Sequence, residues 1–124
     1  MITVRIPRDK NFNYKECKTL YKKCRRLIGD NQEFREIVAN THFFSFYNDG
    51  DFLGCIYVYD KCGKLYLNAF ASRHHHKENI ESMKMVLSWY TCDIYAESTR
   101  KTAIYCLLEL GFKKIGQNLY KYER

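Results

Sequence analysis

Proline occurs once in the 124 residues, glycine six times, and no glycine falls between Gly63 and Gly111. The long glycine-free stretch leaves any loop within it without the residue that lets a backbone approach a ligand most closely. No apolar run approaches the roughly 18 to 20 residues a membrane helix needs, and no basic-then-apolar leader opens the sequence, so a soluble, cytoplasmic protein without membrane contact is the expectation. The six cysteines include no C-x-x-C pair. Four of them, Cys17, Cys24, Cys55 and Cys106, sit among apolar neighbours, which predicts free thiols used as small hydrophobes. Only Cys62, in a turn, reads as exposed, and cysteine-based nucleophilic chemistry is not expected.

What remains is rich in aromatics, 16% of residues within a hydrophobic fraction of 46%. At this length that supplies one domain, residues 1–124, with a real core and a strong strand content. The formal charge is +7 and lies unevenly. From Arg8 to Arg26 there are eight Lys or Arg against Asp9 and Glu16, a local excess of six. Lys15, Lys18, Lys22 and Arg25 fall on one side of a helix at that spacing. They admit a nucleic-acid partner; the alternative is a solvated helix face.

Met1 to Ile6 alternates and stops at Pro7, as a strand does. Tyr14, Cys17, Leu20, Tyr21, Cys24, Leu27 and Ile28 then follow helical spacing up to Gly29. Asp30, with Glu33 three residues on, predicts a capped short helix through Phe34, Ile37 and Val38. Thr41–Tyr47 and Phe52–Tyr59 flank Asn48-Asp-Gly-Asp51 and form a hairpin, and Asp60-Lys-Cys-Gly63 turns into a third antiparallel strand, Lys64–Ala71. Ile80, Met83, Val86, Leu87 and Tyr90 give a helix, with Ser72–Asn79 as the turn before it. Cys92–Ala96 is a strand reached by crossover, hence parallel to the strand from Lys64. Ser98 or Thr99 caps a helix with the face Ala103, Cys106, Leu107 and Leu110, ended by Gly111. Phe112–Ile115 and Leu119–Tyr122 close as a hairpin over Gly116-Gln-Asn118.

The turn Ser72-Arg-His-His-His-Lys-Glu-Asn79 opens a helix N-terminus, where free amides and the helix dipole attract anions. Adjacent histidines cannot all face one ion, so His74, His75 and His76 predict no metal site. They read as an exposed turn or as a base toward an incoming amine, with Asn68 placed to orient it.

The order β-α-α-β-β-β-α-β-α-β-β resembles that of the GNAT superfamily of acyl-CoA N-acyltransferases. Asp49-Gly-Asp-Phe-Leu-Gly54 is similar to the family's hairpin pattern, and Ala103-Ile-Tyr-Cys-Leu-Leu-Glu-Leu-Gly-Phe112 and Leu119-Tyr-Lys-Tyr122 to its late helix and terminal strand. The resemblance implies an α+β, three-layer fold with a mixed, mostly antiparallel central sheet flanked by helices, its two parallel strands splaying at their C-terminal ends. It implies acetyl-CoA as cofactor, held by Phe70, Ala71, Ser72, Arg73, His75, His76, Lys77, Glu78, Asn79 and Ile80. It also implies acetyl transfer to an amine, either a small molecule or a protein lysine or N-terminus. The family's loop has a basic residue and two glycines; His75, Glu78 and Ile80 take those places here. Glu78 brings a like charge to a pyrophosphate and Ile80 brings bulk. The family's general-acid Tyr position falls on Leu107, and the Asn earlier in that helix falls on Arg100. These departures keep a catalytically silent binding module open as the alternative. Short, Lys- and Tyr-rich members of this kind resemble GNAT-like proteins carried by phages.

Overall fold

A computed structural model describes residues 1–72 and 74–124. Seven strands form one sheet in the order β1-β2-β3-β4-β5-β7-β6, with β1 Ile2–Arg5, β2 His42–Asn48, β3 Asp51–Lys61, β4 Lys64–Ala71, β5 Ile94–Glu97, β6 Lys113–Gly116 and β7 Leu119–Tyr122. Helices α1 Tyr14–Ile28 and α2 Phe34–Asn40 lie on one face, and α3 His76–Ser88 and α4 Lys101–Leu110 on the other. The element order and the mixed three-layer α+β fold are those expected.

Alternation along the strands divides the apolar residues into two cores. Ile56, Val58, Leu67, Ile94 and Ala96 pack beneath α3 and α4 with Ile80, Val86, Leu87, Leu107 and Leu110. Cys55, Tyr57 and Phe70 face the other way and meet Cys17, Tyr21, Phe34 and Ile37. In α1 only Cys17 and Tyr21 are buried; Tyr14 and Leu27 lie at the borders of the apolar stripe and are exposed.

One bulge governs the centre of the sheet. Phe46 pairs with Gly54 but Tyr47 with Phe52, so Leu53 is the extra residue on β3. A bulge reverses the alternation, which is why Leu53 and Ile56 both enter the α3 core. Gly54 sits there because β4 passes directly over it: a Cβ at this position would lie 2.5 Å from the Phe70 carbonyl oxygen and 2.7 Å from Ala71 Cα.

Several boundaries differ from the sequence reading. Asp30 does not cap α2; Glu33 holds that position without a side-chain bond. The Asp30 carboxylate is taken instead by the Tyr57 hydroxyl at 2.6 Å and by the Gln32 amide at 2.9 Å, since a buried phenol must find an acceptor. Helix α3 begins at His76, so Lys77, Glu78 and Asn79 form its first turn and only the residues before His76 are loop. It ends at Ser88, where Arg124 supplies donors to the carbonyls of Leu87 and Tyr90. Strand β5 starts at Ile94 rather than Cys92. The N-cap position of α4 is Arg100; Ser98 accepts the Arg100 amide at 3.2 Å, forming a turn just ahead of the helix.

Candidate functional site: the splay between β4 and β5

Strands β4 and β5 are parallel and pair only at Leu65 with Ile94 and Tyr66 with Tyr95. After Tyr66, β4 continues to Ala71 with no ladder partner on that side among the described residues, while β5 pairs onward with β7. The expected splay is therefore present, opening toward the start of α3. The direction of its backbone groups follows from alternation. The Ser72 amide donates to Leu53 O at 2.9 Å. In an antiparallel ladder every second residue then turns its N–H and C=O away from the partner strand, and here those residues are Ala71 and Ala69. Both face the splay. The Ala69 amide is covered by Asn68 Oδ1 at 2.9 Å.

Asn68 is therefore not free to orient an amine. Its Nδ2 donates to the Tyr57 hydroxyl at 3.0 Å and to Ile28 O at 3.3 Å, tying the end of α1 to the sheet. Burial, the bond to Asp30 and its charge hold the Tyr57 phenol far above its ordinary pKa, so Tyr57 cannot serve as a base. Arg25 joins this wall by donating to Asn31 O at 2.9 Å and Gln32 O at 3.3 Å. Both bonds come from its Nη2 to neutral carbonyls, which leaves the charge of the guanidinium in place. Lys15 and Lys22 are exposed, and Lys18 is half-buried beside Tyr14.

Of the residues expected to hold a cofactor, Phe70 is buried and packs edge-on to Tyr21, with ring centroids 5.5 Å apart, so only its backbone lies near the splay. Ser72 is committed to the bulge through Oγ on Leu53 O at 3.0 Å. Ile80 points into the core, so its side chain does not crowd the loop. Arg73 lies outside the described residues. His74 carries φ +73°, the left-handed conformation a glycine would take at no cost. His75 is the N-cap residue of α3 and makes no capping bond. The first helical bond runs from Asn79 N to His75 O, so the amides of His76, Lys77 and Glu78 project from the helix start. Lys77 is exposed and Glu78 and Asn79 half-buried in this first turn.

His76 turns away from the loop and toward α4. Its Nε2 lies 3.1 Å from Glu109 Oε1 and its Nδ1 3.9 Å from Cys106 Sγ. An open recess of about 450 Å³ between α3 and α4 is lined by His76, Lys101, Thr102, Tyr105 and Cys106. Leu107 is buried in the core and Tyr105 is 68% exposed, so α4 presents no tyrosine hydroxyl to the splay from the expected position. Half of this arrangement is legible from spacing, since Cys106 and Glu109 stand three apart on one helix face. Their meeting with His76 depends on how α3 docks on α4.

Among solved structures, an N-acetyltransferase from Staphylococcus aureus Mu50 superposes with a TM-score of 0.74 over 99% of this chain and 97% of its own, at 14% identity. Aminoglycoside acetyltransferase AAC(6')-Ib, in complex with coenzyme A, gives a TM-score of 0.75 over 100% of this chain and 95% of its own, at 12% identity. The ribosomal-protein-S5-alanine acetyltransferase of Vibrio fischeri gives 0.67 over 98% and 92%, at 11% identity. No protein-family model and no curated protein matches the sequence. The fold is that of the GNAT acetyltransferases.

Proposed function

From the GNAT fold and the open edge of β4, we propose that this protein binds acetyl-CoA in the splay and transfers the acetyl group to an amine. The observation that carries the reading is the pair of residues Ala69 and Ala71, whose backbone groups face the splay without a strand partner among the described residues, the Ala69 amide alone being covered by Asn68 Oδ1. An unpaired edge inside a cleft is a place for an extended amide-bearing arm to add as a strand does. The diphosphate end fits less evenly. The amides of His76, Lys77 and Glu78, the dipole of α3 and the cations Lys77 and Lys101 favour it, while the Glu78 carboxylate opposes it. When bound, acetyl-CoA supplies a thioester-activated acetyl group. The wall of Asp30, Tyr57 and Asn68 keeps α1 fixed against the other side of the splay, where an amine would enter. With Leu107 in the core, the chain contributes positioning rather than a phenolic acid, and proximity alone supports acyl transfer at a reduced rate.

AAC(6')-Ib has been solved with coenzyme A and kanamycin, which makes polycationic small amines sensible first acceptors. The test is acetyl-CoA turnover followed as free thiol, across kanamycin, polyamines and lysine peptides. Thiol release above the amine-free blank with at least one acceptor is expected. Saturable acetyl-CoA binding with no release for any amine would favour the silent binding module that the buried Leu107 also fits. Absence of both binding and turnover in folded protein would overturn the reading.

A further inference from the structure

Two of the cysteines, Cys62 and Cys92, are exposed, and no histidine contacts either among the described residues. Cys106 is less exposed but differently placed. Its sulfur lies 3.9 Å from His76 Nδ1, and the other ring nitrogen of His76 lies 3.1 Å from Glu109 Oε1. A carboxylate accepting from Nε2–H fixes the tautomer that leaves the Nδ1 lone pair facing the thiol. The constellation is thiol, base and orienting acid, drawn from two helices and set at the wall of an open recess. Lys101 lines the same recess, and Arg100 is close enough to favour the thiolate of Cys106.

We propose that Cys106 is a modification site: a thiol activated by His76 that forms mixed disulfides with small anionic disulfides entering the recess between α3 and α4. The Cys106 S–H proton passes to His76 Nδ1, and the sulfur electron pair attacks one sulfur of the incoming disulfide. The old S–S bond breaks as the new one forms, and the leaving thiolate takes the bonding pair and recovers the proton from the imidazolium. Cys106 is oxidised and the released thiol is the reduced product. Burial and the Glu109 charge push the Cys106 thiol up, against a smaller opposite effect of Arg100. Its reactivity toward disulfides therefore rests on the imidazole nitrogen 3.9 Å away taking up the proton. Lys101, in the lining of the recess, selects for negative charge on the disulfide. The exchange needs no acyl-CoA, although Lys101 is shared with the diphosphate position proposed above.

The probe is glutathione disulfide, with each cysteine's modification followed over time by peptide mass spectrometry on the full chain. Cys106 is expected to react first, about tenfold or more ahead of the better exposed Cys62 and Cys92. His76→Gln, at an exposed position, should bring it to their rate or below with the fold intact. Equal rates at the three cysteines would overturn the proposal. So would an unchanged Cys106 rate in the folded His76→Gln protein.

Discussion

Gly54 and Glu78 show how single residues shape the cleft. At Gly54 the obstruction to a larger residue is backbone, the Phe70 carbonyl at 2.5 Å and Ala71 Cα at 2.7 Å, neither of which can move without shifting β4. Gly54→Ala should therefore destabilise the fold by about 1–3 kcal/mol, read as a lower urea midpoint, and should disturb the splay edge with it. Glu78 is the opposite case, a residue whose cost is functional. A carboxylate in the first turn of α3 stabilises the helix by about 0.3–1 kcal/mol while repelling a diphosphate placed there. Glu78→Gln should tighten acetyl-CoA binding about fivefold, roughly 1 kcal/mol, in calorimetry. Unchanged or weaker binding would place the diphosphate elsewhere. Ile80 is not a partner for this experiment, because removing a side chain from the core opens a cavity beneath the same helix.

Elements announced themselves in the sequence where pattern and punctuation agreed. Both hairpins of β2, β3 and β4 were legible because Asp49-Gly50 and Cys62-Gly63 supply consecutive positive φ values between aromatic, β-branched runs. The parallel pairing of β4 with β5 followed from the crossover through α3. The start of α3 was not legible, since Lys77, Glu78 and Asn79 carry no apolar periodicity and read as loop. Asp30 was misread for a related reason: a carboxylate before a helix is ambiguous between a cap and a distant partner, and only the tertiary structure brings Tyr57 to it. His76 with Cys106 is the same kind of long-range meeting. The C-terminal end of α3 illustrates one more: Arg124 donates to the Leu87 and Tyr90 carbonyls and its amide to Asp93 Oδ1 at 3.0 Å. Arg124→Ala should lower stability by about 1–3 kcal/mol in thermal or urea unfolding, as carbonyls at a helix end lose a charged donor. A change within experimental error would show that water replaces the guanidinium.

On the scale of the whole molecule, α1 and the sheet are joined by phenols buried between layers. Burial first, and then the Asp30 charge, push Tyr21 from 10.0 up to about 12, and Tyr57 is raised further. Because the folded state prefers the neutral phenol, this contribution to stability is complete below pH 10.0 and is lost as pH rises toward about 12. Alkaline titration should show cooperative unfolding coincident with the tyrosinate absorbance of the buried class. Full tyrosine ionisation in a protein that keeps its circular dichroism would contradict the packing described. The cleft that this packing holds open is the proposed acetyl-CoA site. Titration of isotopically labelled protein with acetyl-CoA, followed by the backbone amide resonances, tests it most directly. Saturable shifts at Ala69 and Ala71 on β4 and at His76, Lys77 and Glu78 at the start of α3 are predicted, with α1 nearly silent. Shifts confined to α1, or none in a folded protein at saturating acetyl-CoA, would contradict it.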